Sequence, residues 1–98
     1  MTKNVIWSPS AEKDLEIILN YLSTHWGNSV VIGFLLELEM QFNQIGKNEK
    51  LFPLIHKTKK IRRCVLTKHN TLIYRETKNK LEILRIFDNR QNPKSLRF

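Results

Sequence analysis

The first half of the chain carries two helical apolar stripes separated by a single glycine region. Leu15, Ile18, Leu19, Leu22 and Trp26 recur at +3, +4, +7 and +11. Val31, Phe34, Leu35, Leu38, Phe42 and Ile45 then recur at +3, +4, +7, +11 and +14. This is the 3.6-residue period of amphipathic helices. Ser8-Pro9 supplies a capping hydroxyl and a first-turn proline for the first helix. Glu12, Asp14 and Glu16 lie early in it, where negative charge suits the helix dipole. Gly27 stops it, and Gly46 is the expected stop of the second. So short a link makes the two helices an antiparallel hairpin. Gly33 costs about 1 kcal/mol of helix propensity relative to Ala, which would be explained by a close helix crossing.

A different period governs the second half. Ile61–Leu66, Thr71–Glu76 and Leu81–Phe87 read as strands joined by short polar links, an antiparallel meander. Asn4–Trp7 reads as one more strand ahead of the helices, and residues 47–59 as a basic loop around Phe52-Pro53. The expected order is β-α-α-β-β-β, an α+β fold with the hairpin on one face of the sheet. At 98 residues the chain holds one domain, 1–98. By simple alternation, Leu84 and Ile86 point to one face, and Ile83, Arg85 and Phe87 to the other. The tail from Asp88 is polar and basic.

Charge is divided between the halves. Residues 1–49 hold three basic and six acidic residues, a net of −3; residues 50–98 hold 14 and three, a net of +11. Such a division suits a nucleic acid or a very acidic protein partner. The uncovered sheet face gathers Arg62 or Arg63, Arg85, Arg90 and the lysines around Lys59 and Lys60 into a candidate target-binding surface. A one-residue register slip exchanges Arg62 and Arg63, so both stay candidates.

Other chemistry is sparse. The lone Cys64 cannot form an internal disulfide and reads as a small core residue, in keeping with a reducing cytoplasm. His25, His56 and His69 have no metal-ligand spacing with it, so no metal and no cofactor are expected. His25 reads as a helix C-terminal cap and His69 as a turn residue. Trp7, Trp26, Phe34 and Phe42 read as core. No apolar run reaches the ~20 residues of a membrane span, and no secretory signal is evident at the N-terminus. Metal-free RNA cleavage would need a base, an acid and cations for the phosphate. His69, Glu76, Asp88 and Lys94 are the available proton-transfer candidates.

The stretches W-S-P-S-A-E-K-D-L-E-I-I-L-N-Y-L (7–22), I-R-R-C-V (61–65), L-I-Y-R (72–75), E-I-L-R-I-F (82–87) and N-R-Q-N-P (89–93) together resemble the RelE/ParE family of bacterial toxins. The first helix looks most like the ParE, or plasmid-stabilisation, branch. The resemblance implies the toxin half of a type II toxin–antitoxin module, cytoplasmic and growth-inhibitory. It also implies a cognate antitoxin with an acidic C-terminal segment, held in a hetero-oligomer. ParE-like members poison DNA gyrase; RelE-like members cut mRNA on the ribosome. By the RelE pattern Arg62 and Arg90 match catalytic positions, whereas Cys64, Thr71 and Leu96 fall where a lysine, an arginine and a tyrosine are expected. These departures favour the gyrase branch. The alternatives are the ribosome-dependent endonuclease and a non-toxic basic binding module.

Overall fold

The structure, a computed structural model, describes residues 4–48 and 50–89. Arg90, Lys94, Leu96 and the rest of the tail lie outside the described residues. The chain runs β1 (Asn4–Trp7), α1 (Pro9–Trp26), α2 (Asn28–Lys47), β2 (Leu54–His56), β3 (Ile61–Val65), β4 (Asn70–Glu76) and β5 (Lys80–Asp88). The two helices lie against a five-stranded sheet ordered β1-β5-β4-β3-β2. The sheet is mixed. The meander strands pair antiparallel, but β1 runs parallel to β5, from Asn4 opposite Lys80 to Trp7 opposite Ile83. β2 is a short edge strand on β3. It falls inside the stretch read from sequence as a loop, because three residues are too few to show an alternation.

Local chemistry sets the ends of α1 as expected, whereas α2 runs through Gly46, its expected stop, to Lys47 and is capped by Asn48, whose N–H donates to the Gln44 carbonyl. Ser8 is the N-cap of α1 and its Oγ accepts from the Ala11 N–H at 3.0 Å. Gly27 turns the chain at φ 91°, a left-handed geometry that favours glycine. His25 Nδ1 lies 2.9 Å from the Tyr21 carbonyl, and its ring stacks on Tyr21. Gly33 marks no close crossing: a Cβ built there meets nothing within 4 Å.

The main core lies between the hairpin and one sheet face. Phe34, Leu38, Phe42 and Ile45 of α2 meet Cys64, Leu66, Leu72, Tyr74, Leu81, Ile83 and Ile86. The opposite face holds a smaller cluster of Ile61, Ile73 and Phe87 with Leu84. Ile83 and Ile86 thus share a face, against simple alternation. The cause is a β-bulge: Ile73 pairs with Arg85 and Tyr74 with Ile83, which leaves Leu84 as the extra residue on β5. Trp26 is also not core. It is the last residue of α1 and is 65% exposed.

Where β1 ends, the N-terminal part of α1 takes over the free edge of β5. The Ser8 N–H donates to the Ile83 carbonyl at 3.0 Å, and Ser8 Oγ donates to the Leu84 carbonyl at 2.8 Å. Asp14 then accepts three hydrogen bonds: from the Ile86 N–H at 3.0 Å and from Arg85 Nε and Nη2 at 2.7 and 3.1 Å. The β5 groups left without a strand partner where β1 stops are thus satisfied by Ser8 and Asp14.

Candidate functional site: a basic cleft at the end of the sheet

The β2–β3 turn and the β4–β5 turn lie at the same end of the sheet, since β3 starts opposite the end of β4. Both are lysine-rich. Between them opens a cleft of about 940 Å³. Arg62 and Arg75 form its floor, Lys57, Lys59 and Lys60 one wall, and Lys78 the other, with Lys50 alongside. The lining holds seven basic residues and one acidic residue, Glu76. The turns are short and polar, and β3 and β4 run between them, with alternation sending Arg62 to the helix side of the sheet end and Arg75 to the other.

The floor is held in place. Arg62 points to the helix side, paired opposite Tyr74, and its Nη1 donates to the Phe52 carbonyl at 2.7 Å. That acceptor is neutral, so the charge stays available to a ligand. Arg75 points to the other side and bridges Glu82 at 2.9 Å. Lys60 has φ 56°, a strained left-handed geometry for a non-glycine residue. The turn is braced by His56, whose Nδ1 accepts from the Lys59 N–H at 3.2 Å.

Of the residues expected from sequence at a binding surface, Lys59, Lys60 and Arg62 come together here. Arg63 faces the other side of the sheet, opposite Ile73, and is exposed. Arg85 is committed to Asp14 and lines a smaller hollow of about 320 Å³ with Ser8, Ser10, Lys59, Ile61, Arg75 and Leu84. Arg90 lies outside the described residues. Lys50, Lys78 and Arg75 were not singled out in the sequence. The clustering of lysine in two links of one meander was the signal for Lys78, because antiparallel connectivity brings alternate turns to one end.

The positions where the RelE pattern places chemistry are structural here. Cys64 is buried beside Gln41, and burial, then the charge of Glu37, pushes its thiol up to about 11. Thr71 is buried, with its hydroxyl donating to Asn89 Oδ1 at 2.6 Å. Tyr74 is fully buried, its hydroxyl has no partner among the described residues, and burial followed by Cys64 raises its pKa well above the usual phenol range. The described cleft lining contains no histidine, cysteine or tyrosine. It can hold anions, but only Glu76 among its residues is a conventional proton acceptor. Among the described residues no group of three or more His, Cys, Asp or Glu is placed to hold a metal ion, and no helix is long and apolar enough to cross a membrane.

A second surface is apolar. Ile17 and Tyr21 on α1, and Ile32, Leu36 and Met40 on α2, are all exposed. On α2 that stripe runs at i, i+4, i+8 on the side away from the buried Phe34, Leu38 and Phe42, so the helix is apolar on two faces. A helix apolar on both sides calls for a partner on the second.

A family model described as the ParE toxin of type II toxin–antitoxin systems, parDE, matches residues 5–93. Among solved structures, the chain is similar to a chain of the chromosomal ParDE system from P. aeruginosa, with a TM-score of 0.68, 16% identity, and coverage of 89% of this chain and 96% of that one. It is similar to YoeB, solved as a dimer, from Staphylococcus aureus, with a TM-score of 0.65, 14% identity and coverage of 88% and 95%. It is also similar to a chain of the E. coli DinJ–YafQ toxin–antitoxin complex, with a TM-score of 0.59, 16% identity and coverage of 90% and 93%. At these identities the structural likeness speaks to the fold alone. No curated protein matches the chain in sequence.

Proposed function

The chain belongs to the ParE toxin family of type II toxin–antitoxin systems, within the ParE/RelE superfamily, and we propose on that premise that it is a growth-inhibitory, ParE-like toxin that acts on DNA gyrase by binding. The observation that carries this reading is the chemistry of the cleft. It concentrates seven cations, while the two described positions that would have to supply a RelE-like lysine and arginine are a buried thiol and a buried, hydrogen-bonded threonine. Cations without a tuned base and acid bind a phosphate or carboxylate but do not turn it over. Lys59, Lys60 and Arg62 are the residues we assign to target contact, while Arg63 lies on the opposite face of the sheet.

The antitoxin fits the second surface. An exposed apolar stripe on two adjacent helices accepts an amphipathic segment. That the similar YafQ fold was solved in a toxin–antitoxin complex supports an antitoxin partner.

Induced expression with and without the neighbouring small reading frame, followed by a gyrase supercoiling and cleavage assay, tests the reading. Arrest relieved by the neighbour, early loss of DNA synthesis and accumulation of cleaved gyrase–DNA complex are expected. Unchanged gyrase activity together with new mRNA ends at A-site codons would replace the target with the ribosome. No arrest would leave a binding module without toxicity.

A further inference from the structure

The two lysine-bearing turns do more than make one end of the molecule positive. They stand two strand spacings apart, about 10 Å, on either side of an arginine floor. Among the described residues the ion pairs Arg75–Glu82 and Arg85–Asp14 engage arginines, and neither involves a wall lysine. The described lining has no aromatic side chain on which a base could stack and no Asn or Gln to read a base edge. It offers ammonium and guanidinium groups, while the hydroxyls of Thr58 and Thr77 already bond His56 Nδ1 and the Lys80 carbonyl. Point charges without stacking platforms are the equipment for a phosphate backbone rather than for bases. A cleft of that width admits one backbone strand between the walls.

From this placement we infer that the cleft is a binding site for the phosphate backbone of duplex DNA, sequence-independent, with Lys57, Lys59, Lys60 and Lys78 on the walls and Arg62 on the floor. The inference deepens the reading of the cleft as a target-contacting surface and rests on its use for binding, but not on gyrase as the protein target. The apolar hairpin stripe is a separate set of residues, so an antitoxin seated there leaves the cleft lysines in place.

The test is fluorescence anisotropy of the purified chain with a labelled 20-base-pair duplex, titrated over a range of sodium chloride concentrations. Engagement of four or five cations gives a log–log salt slope of about −4. Two duplexes of unrelated sequence are expected to bind within about twofold of each other, and single-stranded RNA of equal length more weakly, because the lining lacks stacking groups. Lys59→Glu and Lys78→Glu, one from each wall, each lower affinity about tenfold and reduce the slope by about 1, whereas Lys13→Glu on α1 changes affinity less than about threefold. Melting temperatures within a few degrees of the parent show that the variants fold; where one does not, Lys59→Gln takes its place. Equal effects of Lys13→Glu and Lys59→Glu would overturn the site in favour of net charge alone. Tighter binding of single-stranded RNA, or equal competition by polyglutamate of matched charge, would overturn duplex DNA as the ligand. Loss of gyrase inhibition with DNA binding intact would leave this site standing and remove only the proposed target.

Discussion

Arg85 is basic, sits on the last strand, and would be assigned to target binding by charge alone. The structure gives it a different task, and Asp14 provides the means to measure it. The Asp14 carboxylate holds the Ile86 N–H and two nitrogens of Arg85. Replacement of Asp14 by Ala leaves the N–H of a buried residue on the bulged strand without a partner. An orphaned backbone donor costs about 1–3 kcal/mol. The ion pair adds less, about 0.5–1 kcal/mol, because 36% of the Arg85 side chain is exposed and water screens it. Asp14→Ala should therefore cost about 2–3 kcal/mol, or roughly 10–20 °C of melting temperature for a domain this size. Arg85→Ala removes the pair but leaves the Ile86 bond, and should cost about 1 kcal/mol. Asp14→Asn, which keeps one oxygen for Ile86, should fall between the two. Guanidinium unfolding of the two alanine variants and the double variant gives the coupling, expected at about 0.5–1 kcal/mol. If Arg85→Ala proved the costlier variant, or if both cost less than about 0.5 kcal/mol, the bulge would not depend on this clamp. If Arg85→Ala abolished DNA or target binding at unchanged stability, the charge-based assignment would be right.

Four further outcomes follow from single sites. Ser8→Ala removes both the α1 cap and the bond to the Leu84 carbonyl, and should lower stability by about 1–2 kcal/mol in a denaturant titration. Gly33→Ala enters open space on α2 and should raise the melting temperature, with a gain of about 0.5–1 kcal/mol; a loss would mean that the helix is crowded there. Lys60→Gly relieves a left-handed residue at about 1–2 kcal/mol but loosens the unfolded chain by about 0.4–1, so a net gain near 0.5 kcal/mol is expected by the same titration. Cys64 has its thiol pKa raised from 9.0 to about 11 by burial and Glu37. A raised pKa contributes stability that is complete below pH 9 and lost as pH rises toward 11, so Cys64→Ala should flatten the pH dependence of unfolding across that window, checked by stability curves at pH 8, 9, 10 and 11.

Periodicity alone accounted for the helices, the three long meander strands and the hairpin. A stripe at +3, +4, +7 and +11 has one way to be buried, and Ser8-Pro9 and Gly27 mark ends by local sterics and hydrogen bonding. The sum of the basic residues was equally legible, as was the concentration of lysine in the turns. Tertiary structure decided what each charge does. Arg62 and Arg63 are adjacent and chemically alike in sequence; β3 register sends one beneath the lysine turns and the other to the opposite face. Arg85 looked like a surface cation until the Leu84 bulge turned it toward Asp14, 71 residues away in the chain. The parallel pairing of β1 with β5 was hidden for the same reason. Caps, stripes and turns are set by neighbours a few residues apart, whereas register, bulges and the partner of an arginine depend on segments that meet only after the chain has folded.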